Sequence, residues 1–244
     1  MIFSAPFTVN FHDTDCYARM RPSAMLMYMQ EAANLHLNAY GPTMDELRSS
    51  GRAFLLSRVR VAIHRALPAY TPIEAQTWIS NDDRGFSFNR YHRILAGGEV
   101  AAEAMSVWAL VNLETRRPIR ASEFTYNFTG EAPLDLPRIL PRRITAYDPE
   151  EIAVRPVVYS DCDYNGHINN THYPDLLCDY LPVGETRRVR DVEINFLGEA
   201  PMGDSLTIYR ANDLEHNERY LFRTLRTDGS PNIEAVLTLA REET

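Results

Sequence analysis

DCDYNGHI, residues 161–168, returns in altered form as DTDCYARM at residues 13–20, and that recurrence decides the fold. Asp13 aligns with Asp161 and Asp15 with Asp163, both at an offset of 148 residues. Each copy follows an apolar or alternating segment, FTVNF (7–11) in one case and IAVRPVVY (152–159) in the other, and each precedes a helical pattern. Farther along, Asn81-Asp82 aligns with Asn212-Asp213, Gly98 with Gly229 and Glu103-Ala104 with Glu234-Ala235, now at an offset of 131. Matches that recur at one spacing are the mark of an internal repeat. The offset is expected to fall because the first copy carries a longer segment after its helix, including GPTMDELRSSGRA (41–53).

Each copy reads as strand, helix and a run of strands. In the first, Met25, Met29, Ala32, Ala33, His36 and Tyr40 recur at helical spacing, and Pro22 suits a first turn, which predicts a helix over 22–40. Strands are expected near 54–66, 73–81, 86–95 and 100–113. In the second, Asn170 or Thr171 can cap a helix running to about residue 180 with Pro174 in its first turn, followed by strands near 188–197, 205–212, 218–227 and 232–241. AGGE (96–99) and TDGS (227–230) have hairpin-turn composition. One helix with four or five antiparallel strands is an α+β unit, and two of them in one chain can pair as a built-in dimer. The division expected is 1–125, a linker over 126–149 punctuated by Pro133, Pro137, Pro141 and Pro149, and 150–244.

Composition removes several classes of function. The chain of 244 residues carries a net charge of −8, which speaks against nucleic acid as a partner. No apolar run approaches the ~20 residues needed to span a bilayer, so no membrane association is expected. All 25 basic residues are arginine. Without lysine there is neither a Schiff-base amine nor a P-loop. G-x-S-x-G is missing as well, and with it the usual serine elbow. Cys16, Cys162 and Cys178 are odd in number and scattered, fitting neither a disulfide framework nor a zinc site. With no visible signal peptide, a reducing cytoplasm is the expected compartment.

The chemistry-bearing residues cluster in the second copy. In SDCDYNGHINNTHY (160–173), Asp163, Asn165 and His167 form D-x-N-x-H ahead of the helix, and Asn165 and His167 face Tyr17 and Arg19 in the first copy. A requirement of the fold would appear in both copies, whereas a requirement of chemistry need appear in one. Asp161 is read as a turn residue and Asn169, Asn170 and Thr171 as capping residues. The N–H groups near 169–171 are expected to be unpaired and available to a developing oxyanion, with Gly166 allowing close approach of substrate to the backbone. His167 and His172 are five residues apart, off the spacing of a helical metal pair, so no metal is expected.

These residues resemble the acyl-acyl-carrier-protein thioesterases of bacterial type, along nearly the whole chain. The resemblance rests on DTDCYARMRPSAMLMYMQEAA, FLLSRVRVAIHRALP, AQTWIS and AMSVWALVNLETRRPIR in the first copy, and on DCDYNGHINNTHY and VEINFLGEAPMGDSL in the second. It implies two tandem hot-dog domains, each a long helix wrapped by an antiparallel sheet, paired as an intramolecular pseudo-dimer. It also implies a catalytic set of Asp163, Asn165, His167 and Glu199, with Glu199 on a strand region and facing Pro68 by count. Where plant members place a cysteine after that glutamate, Ala200 stands here. Water activation by Glu199 with His167, and direct attack by Asp163, both remain open. The first domain would shape the acyl pocket, through residues such as Met25, Leu26, Met29 and Leu37.

The implied reaction releases free fatty acid from acyl-acyl-carrier protein, ending fatty acid synthesis, with no cofactor. Acyl-coenzyme A hydrolysis, dehydration and non-catalytic acyl-thioester binding are the rivals. The carrier protein is the expected partner, and a homodimer is left open. Arginine clusters that could dock an acidic carrier are Arg116, Arg117 and Arg120; Arg138, Arg142 and Arg143; and Arg187, Arg188 and Arg190.

Overall fold

The structure, a computed structural model, describes residues 1–80, 85–136, 148–213, 216 and 218–241. The chain forms two compact units, Met1–Arg138 and Ile139–Thr244. Asn81, Asp82, Pro137, Arg138, Pro141, Arg142 and Arg143 lie outside the described residues.

In the first unit five strands, β1 (Phe3–Thr8), β2 (Arg52–Ile63), β3 (Pro72–Ile79), β4 (Phe88–Ala96) and β5 (Glu99–Asn112), lie in the order β1-β3-β4-β5-β2, each antiparallel to its neighbours. The long helix α1 spans Pro22–Tyr40, as its periodicity predicts, and packs on β1, β3 and β4. Its buried stripe of Ala24, Met25, Met29, Ala32, Ala33, His36 and Leu37 follows the three-and-four spacing of a helix seated on a sheet. Leu26 is buried too. Tyr40, counted in that stripe from sequence, is exposed at the end of the helix, edge-on to the rings of Phe3, His36 and Phe128. A short helix, α2 (Met44–Ser49), was not expected. Thr43 and Glu46 close it with a reciprocal capping box, a T-x-x-E signal present in the sequence.

The second unit repeats the pattern with β6 (Glu150–Pro156), β7 (Arg187–Phe196), β8 (Ser205–Asn212), β9 (Arg219–Arg226) and β10 (Pro231–Arg241) in the order β7-β10-β9-β8-β6, again antiparallel. The α+β reading holds for both units. The second helix, however, is not long. A 3₁₀ turn over Asn170–His172 leads into α3, only six residues at Tyr173–Cys178. Asn169 caps the 3₁₀ turn, its side chain accepting from the Thr171 N–H, and His172 is the N-cap of α3, so neither Asn170 nor Thr171 takes that place. Pro182 follows closely, and the strain proline places on the preceding residue leaves no room for further helical turns. Tyr173, Pro174, Leu176 and Leu177 of this short segment are nonetheless buried.

Candidate active site

The loop between β6 and α3 is drawn into shape by its own aspartates. Asp161 is nearly buried and takes both terminal nitrogens of Arg155, at 2.7 and 2.8 Å, with the Val158 N–H at 2.9 Å. The Arg155 guanidinium holds this carboxyl below its ordinary value. Asp163 accepts the Asn165 N–H on Oδ1 at 2.8 Å and the Asn165 side-chain amide on Oδ2 at 3.3 Å. Its carbonyl accepts the Gly166 N–H, and its own N–H donates to the His167 carbonyl, both at 3.0 Å. Gly166 has φ of 79°, the left-handed region. The result is a tight loop that presents Asn165 and His167 outward.

Glu199 lies just past the end of β7, in the connection to β8 rather than within a strand. That connection is clasped to the first loop. The Ile168 N–H donates to the Ala200 carbonyl and the Met202 N–H to the Gly166 carbonyl, both at 3.0 Å, and His167 bridges Pro201. His167 Nδ1 thereby comes to 3.5 Å from Glu199 Oε2. The Glu199 side chain is 63% exposed and that of His167 32%, so water reaches the pair. Of the four predicted residues, the structure brings Asp163 into contact with Asn165, and His167 with Glu199, on one clasped pair of loops.

The first unit builds the same loop without the same groups. Asp15 accepts the Tyr17 N–H at 2.9 Å, the Ala18 N–H reaches the Asp15 carbonyl at 3.0 Å, and the Asp15 N–H reaches the Arg19 carbonyl at 2.7 Å. Ala18 takes φ of 58° where Gly166 stands. Gly166 is therefore a turn residue first, and its glycine is not demanded by the loop alone. The clasp recurs through Met20 N–H to the Leu67 carbonyl, Val9 N–H to the Thr71 carbonyl and Tyr70 N–H to the Val9 carbonyl. These match Ile168 with Ala200, Val157 with Asp204 and Gly203 with Val157. The repeat is thus at 133 in this region (Leu67 to Ala200), and Glu199 faces Ala66, not Pro68. The same register sets Ser80 against Asp213, each donating its N–H to the start of the next strand, which displaces the pairing of Asn81-Asp82 with Asn212-Asp213. The corrected count still puts no carboxylate opposite Glu199 in the first copy.

A second correction concerns the helix N-terminus. Two of the three N–H groups expected to be unpaired are engaged: Asn169 donates to the Asp161 carbonyl at 2.9 Å and Thr171 to the Asn169 side chain at 3.0 Å, as is the N–H of His172 just beyond, on the Asn169 carbonyl at 2.9 Å. With those groups taken and α3 only six residues long, the helix end offers fewer donors than expected. Among the described residues no group of three or more His, Cys, Asp and Glu is placed to hold a metal ion. No helix among them is long and apolar enough to cross a membrane. Reading by sequence passes over Asn232, which touches the carbonyl of Gly198, next to Glu199, at 2.6 Å. The signal available was its alignment with Ala101 at the offset of 131, an asparagine where the other copy has alanine.

Comparison with known proteins bears on the whole chain. The model of the acyl-ACP thioesterase N-terminal domain matches residues 1–127 and that of the acyl-ACP thioesterase C-terminal domain residues 143–238. The chloroplastic palmitoyl-acyl carrier protein thioesterase of Arabidopsis thaliana is 22% identical over 215 residues, covering 82% of this chain and 52% of the relative. The chloroplastic dodecanoyl-[acyl-carrier-protein] hydrolase of Cinnamomum camphora is 22% identical over 225 residues, covering 84% and 58%. The chain therefore spans a little over half the length of these relatives. Among solved structures, an acyl-ACP thioesterase from Bacteroides thetaiotaomicron superposes with a TM-score of 0.84 at 22% identity, over 98% of both chains. The 12:0-ACP thioesterase from Umbellularia californica does so with 0.77 at 16%, over 99% of this chain and 98% of that one. These likenesses identify the tandem hot-dog fold.

Proposed function

The chain belongs to the acyl-ACP thioesterase family, and from that premise we propose that it hydrolyses the thioester of acyl-acyl-carrier protein, releasing free fatty acid and the carrier thiol. The observation that carries the reading is the unequal pair of loops: one backbone lattice built twice, with histidine and a facing glutamate in the second copy alone. Glu199 and His167 take a proton from a water as its oxygen attacks the thioester carbonyl. The tetrahedral intermediate then expels sulfur, and the proton passes from His167 to the departing thiolate. Asn165, held out from the loop by Asp163, donates to the carbonyl oxygen. Both oxygens of Asp163 are occupied by Asn165, which favours the water route over attack by Asp163.

We place the domain that bears this site at 150–244, the acyl-pocket domain at 1–125 and their connection at 126–149. Met25, Leu26, Met29 and Leu37, expected in that pocket, are buried in the core of the first unit. A cytoplasmic setting fits three cysteines that are all free.

The test is turnover of a series of acyl-carrier proteins and the matching acyl-coenzyme A esters. Glu199→Gln and His167→Ala should each lower kcat by about a hundredfold or more while the protein stays folded. Full activity in either folded variant removes the site. A higher kcat/KM for coenzyme A esters overturns the carrier as substrate. Tight acyl-thioester binding without turnover would make the chain a binding module. An acyl-Asp163 adduct trapped by rapid quench would replace water with Asp163.

A further inference from the structure

Asn232 is fully buried, with every polar atom of its side chain engaged. Its Nδ2 donates to the Tyr173 hydroxyl at 2.9 Å and to the Gly198 carbonyl at 2.6 Å, while its Oδ1 accepts the Thr224 hydroxyl at 2.9 Å. Its own carbonyl accepts the N–H groups of Leu197 and Gly198, at 2.8 and 3.0 Å. Residues 197 and 198 are thus gripped from one asparagine by backbone and side chain together. Tyr173 and Thr224 are 2% and 0% exposed. Burying three polar side chains is costly unless each is hydrogen-bonded, and here each is.

The first unit shows what the fold itself requires. Asn232 is the extra residue of a β-bulge, where the β9–β10 pairing passes from Pro231–Leu225 to Ile233–Thr224. Ala101 is the extra residue of the same bulge, between Val100–Leu95 and Ala102–Ile94. The Ala101 carbonyl likewise accepts two N–H groups, from His64 at 2.9 Å and Arg65 at 3.2 Å. So the bulge and its backbone grip are common to both units. The polar side chains are not. Opposite Asn232, Thr224 and Tyr173 stand Ala101, Ile94 and Met25, all buried and apolar. The fold closes this corner with hydrocarbon in one unit and with a hydrogen-bonded trio in the other. The trio occurs in the unit that carries His167 and Glu199.

What the trio adds is control of one peptide plane. The Asn232 amide fixes the direction of the Gly198 carbonyl, and with it the direction in which the chain enters Glu199. On the far side, Ala200 is fixed by the Ile168 N–H, the residue after His167. Glu199 is therefore suspended between two anchors one residue away on either side. Gly198 belongs to the same device, since a Cβ there would meet the Pro231 carbonyl at 2.8 Å. Bulges recur where a side chain must be aimed.

We propose that Asn232, oriented by Thr224 and Tyr173, is the positioning residue for Glu199, an inference that rests on the hydrolytic reading above. Asn232→Ala, Glu199→Gln and the double variant are compared with the starting protein on acyl-carrier protein. Asn232→Ala should lower kcat about tenfold with KM within about twofold, and by less than about twofold when Glu199 is already glutamine. An equal loss in both backgrounds would show a general structural role and overturn the proposal, as would full activity of Asn232→Ala. Full activity of Glu199→Gln instead overturns the hydrolytic reading. Should Asn232→Ala fail to fold, Thr224→Val takes its place in the same cycle. It leaves the backbone grip intact and should cost about threefold in kcat, again only when Glu199 is present; the same loss with glutamine at 199, or no loss, refutes the positioning role.

Discussion

Asp161 and Asp163 lie two residues apart and answer to different demands. Asp161 has a counterpart in Asp13, which is also nearly buried and accepts from the Asn10 backbone, the Asn10 side chain and Tyr28. Both aspartates close the entry to their loop, one against Arg155 and the other against a tyrosine. Asp161→Ala should lower stability by about 1–3 kcal/mol, because it strands the Arg155 guanidinium and the Val158 N–H. The kcat of the fraction that remains folded should stay within about twofold. Thermal unfolding beside turnover checks this, and a large fall in kcat with unchanged stability would move Asp161 into the chemistry. Sequence separated these roles in part, since the repeat exposes shared aspartates. It set Glu199 against the wrong residue, because part of the change of offset falls after Ser80 and Asp213 rather than all of it before the first of these strands, and a count of identities does not show where. Asn232 was hidden for a different reason: an asparagine beside a proline after TDGS reads as turn, and only the packed bulge shows it buried.

Among the elements, the strands and α1 were the most legible. Alternation, hairpin glycines and the run of Met and Ala at helical spacing each dictate one structure. Helix α3 was less so, since its apolar residues suit a longer helix and only the chain turning away near Pro182 limits it. Where α1 meets β4, two histidines are buried. His36 Nδ1 lies 3.2 Å from Arg90, and His92 Nε2 lies 3.1 Å from the Ser106 hydroxyl. Burial, then the charge of Arg90, pushes His36 down to about 4 and His92 down to about 3. Both stay neutral in the folded unit while the unfolded chain takes up protons near pH 6.5. Their contribution is complete above pH 6.5 and is lost as pH falls toward about 4 for His36 and about 3 for His92, at up to about 1.4 kcal/mol per pH unit for each. Both tryptophans, Trp78 and Trp108, lie in this unit, so urea unfolding followed by their fluorescence at several pH values reads the slope. A flat profile between pH 6.5 and 4 would mean that the histidines protonate in place.

At the scale of the whole molecule, a net charge of −8 opposes an acidic carrier at long range, so any docking depends on local arginines. Three of the candidates, Arg138, Arg142 and Arg143, fall outside the described residues. Arg187 is 3.5 Å from Glu218, and Arg120 lies 4.9 Å over the ring of Phe86. Arg116 and Arg117 are exposed on the turn after β5 and are the better candidates. Arg116→Glu with Arg117→Glu should raise KM severalfold for the carrier-bound substrate and leave a short thioester unaffected. Equal effects on both substrates would exclude docking there.

The loop at 13–20 has one more consequence. Its backbone already follows the path of 161–168 in the hydrogen bonds within the loop, with Ala18 in the left-handed turn and Arg19 folded back on Asp15 at 3.2 Å. Loop shape and side-chain content have come apart within a single polypeptide. The geometry of the loop is a property of the duplicated architecture, present in both copies. The chemistry proposed for the second copy rests on a few side chains set upon it, and Tyr17, Arg19 and Ala66 mark the places where the first copy lacks them.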